Sequence, residues 1–126
     1  MNLPAVFAAD EGAIPHPTGY LRPQGRCPSW ISECFGRPRV RPRWGIVWAG
    51  NPNQANDSWR SCPLSALEPL LTRTDIQWFS FQKGGAEAEL KETSWAANVV
   101  DLGSQFVDFN DTAFAMNHLD GLISVD

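Results

Sequence analysis

The chain has little of what identifies a protein's chemistry most quickly. Its 126 residues include three cysteines, two histidines and one tyrosine. Cys27, Cys34 and Cys62 are odd in number and lack CxxC spacing, which argues against a disulfide framework or a zinc site and for reduced thiols. No metal cofactor is therefore expected. No run of ~18 apolar residues occurs, so no membrane-spanning helix is predicted. The pattern GxxxxGK[ST] is missing and so is GxGxxG, which excludes a P-loop nucleotidase and a standard dinucleotide site. Internal repeats are absent. A net charge of -4 and a pI near 5.0 are contrary to a general nucleic-acid binder. The N-terminal apolar residues Leu3, Ala5, Val6 and Phe7 have no basic leader and are interrupted by Asp10 and Glu11, so no secretory signal is read and a cytoplasmic location is expected.

What is present suits one soluble α/β domain: 43% of residues are hydrophobic and 19% charged. Residues 1–43 hold most of the ten prolines, show no sustained period and read as a connector. Within it, Trp30 and Ile31 could form a short helix packed on the domain. Arg37, Arg39, Arg41 and Arg43 alternate with Pro38 and Pro42, a pattern read as a stiff solvated linker in preference to a polyanion site.

From residue 44 strand and helix signals alternate, the mark of βαβ units and a parallel sheet. Strands are expected near 44–48, 76–81, 99–102 and 122–125, each rich in β-branched or aromatic residues. Leu64, Leu67, Leu70 and Leu71 recur at helical spacing after Arg60 and Pro63, with Pro69 bending or shortening that helix. Residues 86–92 are strong helix formers. A further helix is capped by Asn110 or Asp111, with Phe114, Met116 and Leu119 on its buried face. His118, near that helix's end, suits contact with terminal carbonyls better than metal binding or proton transfer. The fold class is α/β, a Rossmann-like three-layer parallel sheet over residues 44–126.

Parallel topology sends all strand tips to one edge, where ligands of open α/β sheets bind. Those tips carry Gly50 with Asn51, Lys83 with Gly84, Gly103, and Asp126. An anion is the natural guest, because helix-start amides and basic side chains would meet there. Arg60 offers a guanidinium fork suited to phosphate, or pairs with an acid such as Asp57; Lys83 is either a phosphate contact or a solvated lysine in a glycine turn.

The string GIVWAGNP (45–52), followed by Asn56-Asp57 and Arg60-Ser61-Cys62-Pro63, resembles the start of the donor-side half of bacterial glycosyltransferases associated with tetratricopeptide repeats. That group is similar to lipopolysaccharide heptosyltransferases and, more distantly, to O-linked N-acetylglucosamine transferase. FSFQKG (79–84), VVDLG (99–103), DFNDTA (108–113) and LDGLISVD (119–126) follow in the family's order, while LPAVF and IPHPTGYLRP look like the end of its acceptor-side domain. The resemblance implies half of a GT-B fold binding a nucleotide-diphospho-sugar without metal. It implies donor contacts by Gly50, Asn51, Arg60, Ser61, Lys83, Gly84 and Asp126, the last opening a D-T-S-x-x-H-like segment. It also implies a partner acceptor-side domain or repeat region, no catalytic base here (Asp10, Glu11 and His16 are poor substitutes), and an inactive isolated fragment. Ser58, Trp59 and Gly121 depart from the family pattern. The rival expectations are a non-catalytic Rossmann-like interaction module and a decayed fragment that self-associates through an unpaired sheet edge.

Overall fold

The computed structural model describes residues 22–125. Four short strands, β1 (Arg43–Val47), β2 (Gln77–Ser80), β3 (Val99–Asp101) and β4 (Gly121–Ser124), form one sheet in the order β3-β2-β1-β4. Every pairing is parallel, with Ile46 opposite Ser80 on one side and Ile123 on the other. Apolar residues at consecutive positions make this arrangement favourable, since alternate side chains point to opposite faces and both faces must be covered.

Both are. On one face Ile46, Trp48, Trp78 and Val99 pack with Leu64, Leu71, Leu90 and Trp95. These come from a 3-10 turn (Leu64–Leu67), the helices α3 (Glu68–Leu71) and α4 (Glu87–Lys91), and the segment before β3. On the other face Phe79 and Phe81 pack with Leu102, Phe106 and with Ile31, Phe35 and Ala115. The last three belong to α1 (Ser29–Phe35) and α5 (Phe109–Met116). Trp48, Trp78 and Phe79 are almost wholly buried, and each contributes roughly 1.5–3 kcal/mol through loss of apolar surface. The result is a three-layer α/β sheet of the Rossmann-like kind, and its core reaches back into residues 29–35.

Several local expectations are corrected. Asp57–Arg60, expected as part of a loop, is a one-turn helix, α2, so Arg60 closes that short helix ahead of the leucine segment. The leucine segment splits into the 3-10 turn and α3, with Pro69 in the first turn of α3, where its missing N–H has no helical partner to lose. Asp108, not Asn110 or Asp111, caps α5: its carboxylate accepts from the amides of Asn110 (2.8 Å) and Asp111 (3.1 Å). Asp111, buried, reaches back to accept from the amide of Val107 at 3.0 Å, so the two carboxylates together satisfy three amides at this helix start. Phe114 and Leu119 are partly buried as expected, but Met116 is partly exposed and Ala115 takes the core position.

The arginine run is not uniformly solvated. Arg43 turns inward, where its guanidinium donates to the carbonyls of Phe35 (3.3 Å) and Arg37 (3.0 Å) and lies against the Phe35 ring, while Arg39 pairs with Asp120. His118 stacks on the same Phe35 ring, with the two ring centres 4.7 Å apart. Gly121 faces the ring of Trp44; a Cβ there would lie 2.8 Å from it.

Candidate binding cleft at the strand tips

The strand order reverses between β1 and β4, and a cleft of about 1090 Å³ opens beyond the carboxyl ends of β1, β2 and β4 at that point. Small-molecule sites usually span ~300–1,000 Å³, so the space is ample for a nucleotide-sized guest. Its floor includes Val47, Trp48, Phe81 and Leu122.

One wall is the loop after β1, which closes on itself. The Cys62 amide donates to the Trp48 carbonyl (2.8 Å), the Gly50 amide donates to Ser61 Oγ (3.0 Å), and Ser61 Oγ donates to Asp57 Oδ1 (2.8 Å). Gln82, two residues beyond β2 and almost fully buried, joins this loop to the next: its Oε1 accepts from the amides of Trp48 (3.0 Å) and Ala49 (2.9 Å). Its Nε2 donates to the carbonyls of Ala49 and Lys83, both at 3.0 Å. The Trp48 indole N–H donates to Glu89 Oε2 on α4 at 3.2 Å.

The second wall is the turn Lys83-Gly84-Gly85. Gly84 has φ 89°, a left-handed conformation that only glycine adopts without strain, and nothing lies within 4 Å of where a Cβ would stand on Gly84 or Gly85. The main chain is therefore open to close approach. Lys83 Nζ donates to the carbonyls of Phe106 (2.6 Å) and Gly103 (3.3 Å), using two of its three donors on the neighbouring loop.

The third wall is α5. Phe109, Thr112 and Met116 follow helical spacing and face the cleft, and Phe109 is 91% exposed. Phe106 completes the apolar side.

The expected site residues thus divide. Gly50, Asn51, Ser61, Lys83 and Gly84 line the cleft together. Arg60 lines an adjoining recess of about 150 Å³ with Gly50, Asn51, Gln54 and Asp57, and is not among the residues lining the main cleft. Asp126, like Asp10, Glu11 and His16, lies outside the described residues. Gly103 serves packing: it abuts the Gln82 main chain. Sequence reasoning missed Gln82, Glu89, Phe109 and Thr112. The signal available for Phe109 and Met116 was their spacing with Thr112, which puts them on a different stripe from Ala115.

Among the described residues no group of three or more His, Cys, Asp or Glu side chains is placed to hold a metal ion, and no helix is long and apolar enough to cross a membrane. Comparison with family models, curated proteins and solved structures gave no match to this chain.

Proposed function

We propose that the cleft binds the diphosphate portion of a nucleotide-sugar, as the donor-side half of a two-domain glycosyltransferase. The observation that carries this reading is the position of the cleft: it opens where the strand order reverses, beyond the carboxyl ends of parallel strands, with an uncovered glycine turn and a lysine on its rim. The Gly84-Gly85 turn allows a phosphate to approach the main chain, and Lys83 can turn one donor towards it while its carbonyl contacts fix the stem. The exposed Phe109 ring offers an apolar face to a base or sugar ring. Acceptor positioning and the base would come from a partner domain, so this chain alone is expected to bind donor without transferring it.

The test is calorimetric titration with UDP, ADP and GDP of the parent, Lys83→Ala and Arg60→Ala. Lys83→Ala is expected to weaken binding about tenfold, ~1.4 kcal/mol. Arg60→Ala, in the adjoining recess, should cost less. Indifference of the parent to all three nucleotides rejects the reading.

A second reading, a non-catalytic interaction module, is favoured by one observation. The amides of Trp48, Ala49 and Gly50 are all satisfied within the protein, so the loop after β1 does not present them to a ligand. It predicts that same indifference.

A further inference from the structure

Gln82 is a polar side chain that bonds to both sides of the cleft. It is almost fully buried, and all four of its bonds go to main-chain atoms: two amides and one carbonyl of the loop after β1, and the carbonyl of Lys83 in the turn after β2. A side-chain amide has one acceptor oxygen with two lone pairs and two N–H donors, so its hydrogen-bonding capacity is fully used here. Trp48 and Ala49 lie where β1 has ended, and beyond Val47 the strand ladder offers no partner for their N–H groups. The Gln82 oxygen replaces that partner.

We infer that Gln82 is a positioning residue: it locks the loop 48–51 to the Lys83-Gly84-Gly85 turn, so that the two walls of the cleft keep one spacing before any ligand arrives. This rests on the proposed nucleotide site, which needs both walls. A carboxylate in its place would keep the acceptor but lose both donors, and an alkyl or thioether chain would lose everything. Binding to walls that must first be ordered is weaker by the ordering cost.

The experiment compares the full chain with Gln82→Met and Gln82→Glu by amide hydrogen exchange and by titration with UDP and ADP. In Gln82→Met the amides of Trp48 and Ala49 are expected to exchange about tenfold faster or more, while Ile46 and Phe79 in the strands remain slow. Nucleotide affinity should fall by a similar factor. Gln82→Glu keeps the acceptor for those two amides and loses both donors, so Trp48 and Ala49 should stay slow while affinity falls, and that affinity decides the question should Gln82→Met not fold. Uniformly faster exchange through the sheet would mean that Gln82 serves global stability only. Unchanged exchange at Trp48 and Ala49 in Gln82→Met, or faster exchange with unaltered affinity, would also overturn the inference. If the parent binds neither nucleotide, the proposed function falls, and exchange alone decides whether Gln82 fixes the loop.

Discussion

Gly103 gives the sharpest test of how the strand tips are packed. It follows β3 in a 3-10 turn (Gly103–Gln105), and its α-carbon sits against the main chain of Gln82. A Cβ there would lie 1.8 Å from the Gln82 carbonyl oxygen and 2.7 Å from its carbon, where ordinary contacts begin at 3.4 Å. Neither atom belongs to a side chain that could swing away. Gly103→Ala must therefore push two backbone segments apart by about 1.6 Å at the closest pair. The shift strains the Leu102 amide's bond to the Ser80 carbonyl (3.0 Å) and the Lys83 bonds to Gly103 and Phe106, next to fully buried Leu102. Overpacking of this kind costs ~1–3 kcal/mol, and weakening one or two hydrogen bonds adds ~1 kcal/mol each, for roughly 2–5 kcal/mol in total. That is a large part of a typical domain stability of ~5–15 kcal/mol. Urea denaturation should show the midpoint falling with the m-value unchanged. Gly85→Ala, with open space around it, is the control and should stay within ~0.5 kcal/mol of the parent. A Gly103→Ala stability within ~1 kcal/mol of the parent would refute the packing argument.

Two further outcomes follow from other parts of the molecule. Asp108→Ala removes the acceptor for the amides of Asn110 and Asp111 and should cost ~1 kcal/mol in the same denaturation experiment, whereas Asp108→Asn or Asp108→Ser should recover most of it. Burial first, and then the charge of Arg43, hold the His118 imidazole below its ordinary value of 6.5. The unfolded chain therefore takes up that proton at higher pH than the folded one, so the contribution is fully present above about 6.5 and drains as pH falls towards the folded value. Thermal unfolding at pH 8 and pH 5 should show a smaller acid-side loss in His118→Gln than in the parent; equal losses would mean that other groups carry the pH dependence.

The parts of the fold that were legible in the sequence are those where one interaction dominates. Trp44 to Trp48 and Leu122 to Ile123 carry no polar side chain and Trp78 to Phe81 are interrupted only by Ser80; only strands covered on both faces suit such runs, so the parallel sheet could be read directly. Helix ends were less legible because neighbouring residues compete for the same role. Asp108, Asn110 and Asp111 can all cap, and the winner is the one whose backbone is extended while the next turns inward. Arg43 defied the pattern of its own run because the sheet starts at that residue, and strand alternation points its side chain beneath α1, where two carbonyls receive it. Among the cleft-lining residues, Gly84 and Lys83 were legible from their place after a strand. Gln82 was not, since composition treats an amide before a glycine turn as solvent-facing, and only the register of β1 against β2 shows that its side chain faces the end of the neighbouring strand.

The charges around the cleft limit where an anion could sit. Asp57 and Glu89 both line it, so a diphosphate placed centrally would face two carboxylates. Asp57 already accepts the Ser61 hydroxyl, and Glu89 accepts the Trp48 indole N–H, which fixes both groups in place without removing their charge. The Lys83-Gly84-Gly85 turn offers the opposite sign and an uncovered main chain, while Phe106, Phe109 and Met116 lie beside it. On the proposed reading, a guest with one anionic end and one flat apolar end would be favoured with its phosphate at the β2 turn and its ring against α5. The carboxylates on the β1 side then suit hydroxyl donors, which a ribose or hexose supplies and an inorganic diphosphate lacks. Affinity should accordingly rise from diphosphate to nucleoside diphosphate, and Phe109→Ala should erase most of that rise while leaving diphosphate binding unchanged. Calorimetry with both ligands reads it, and equal affinity for the two in the parent would show that neither α5 nor the carboxylate side takes part.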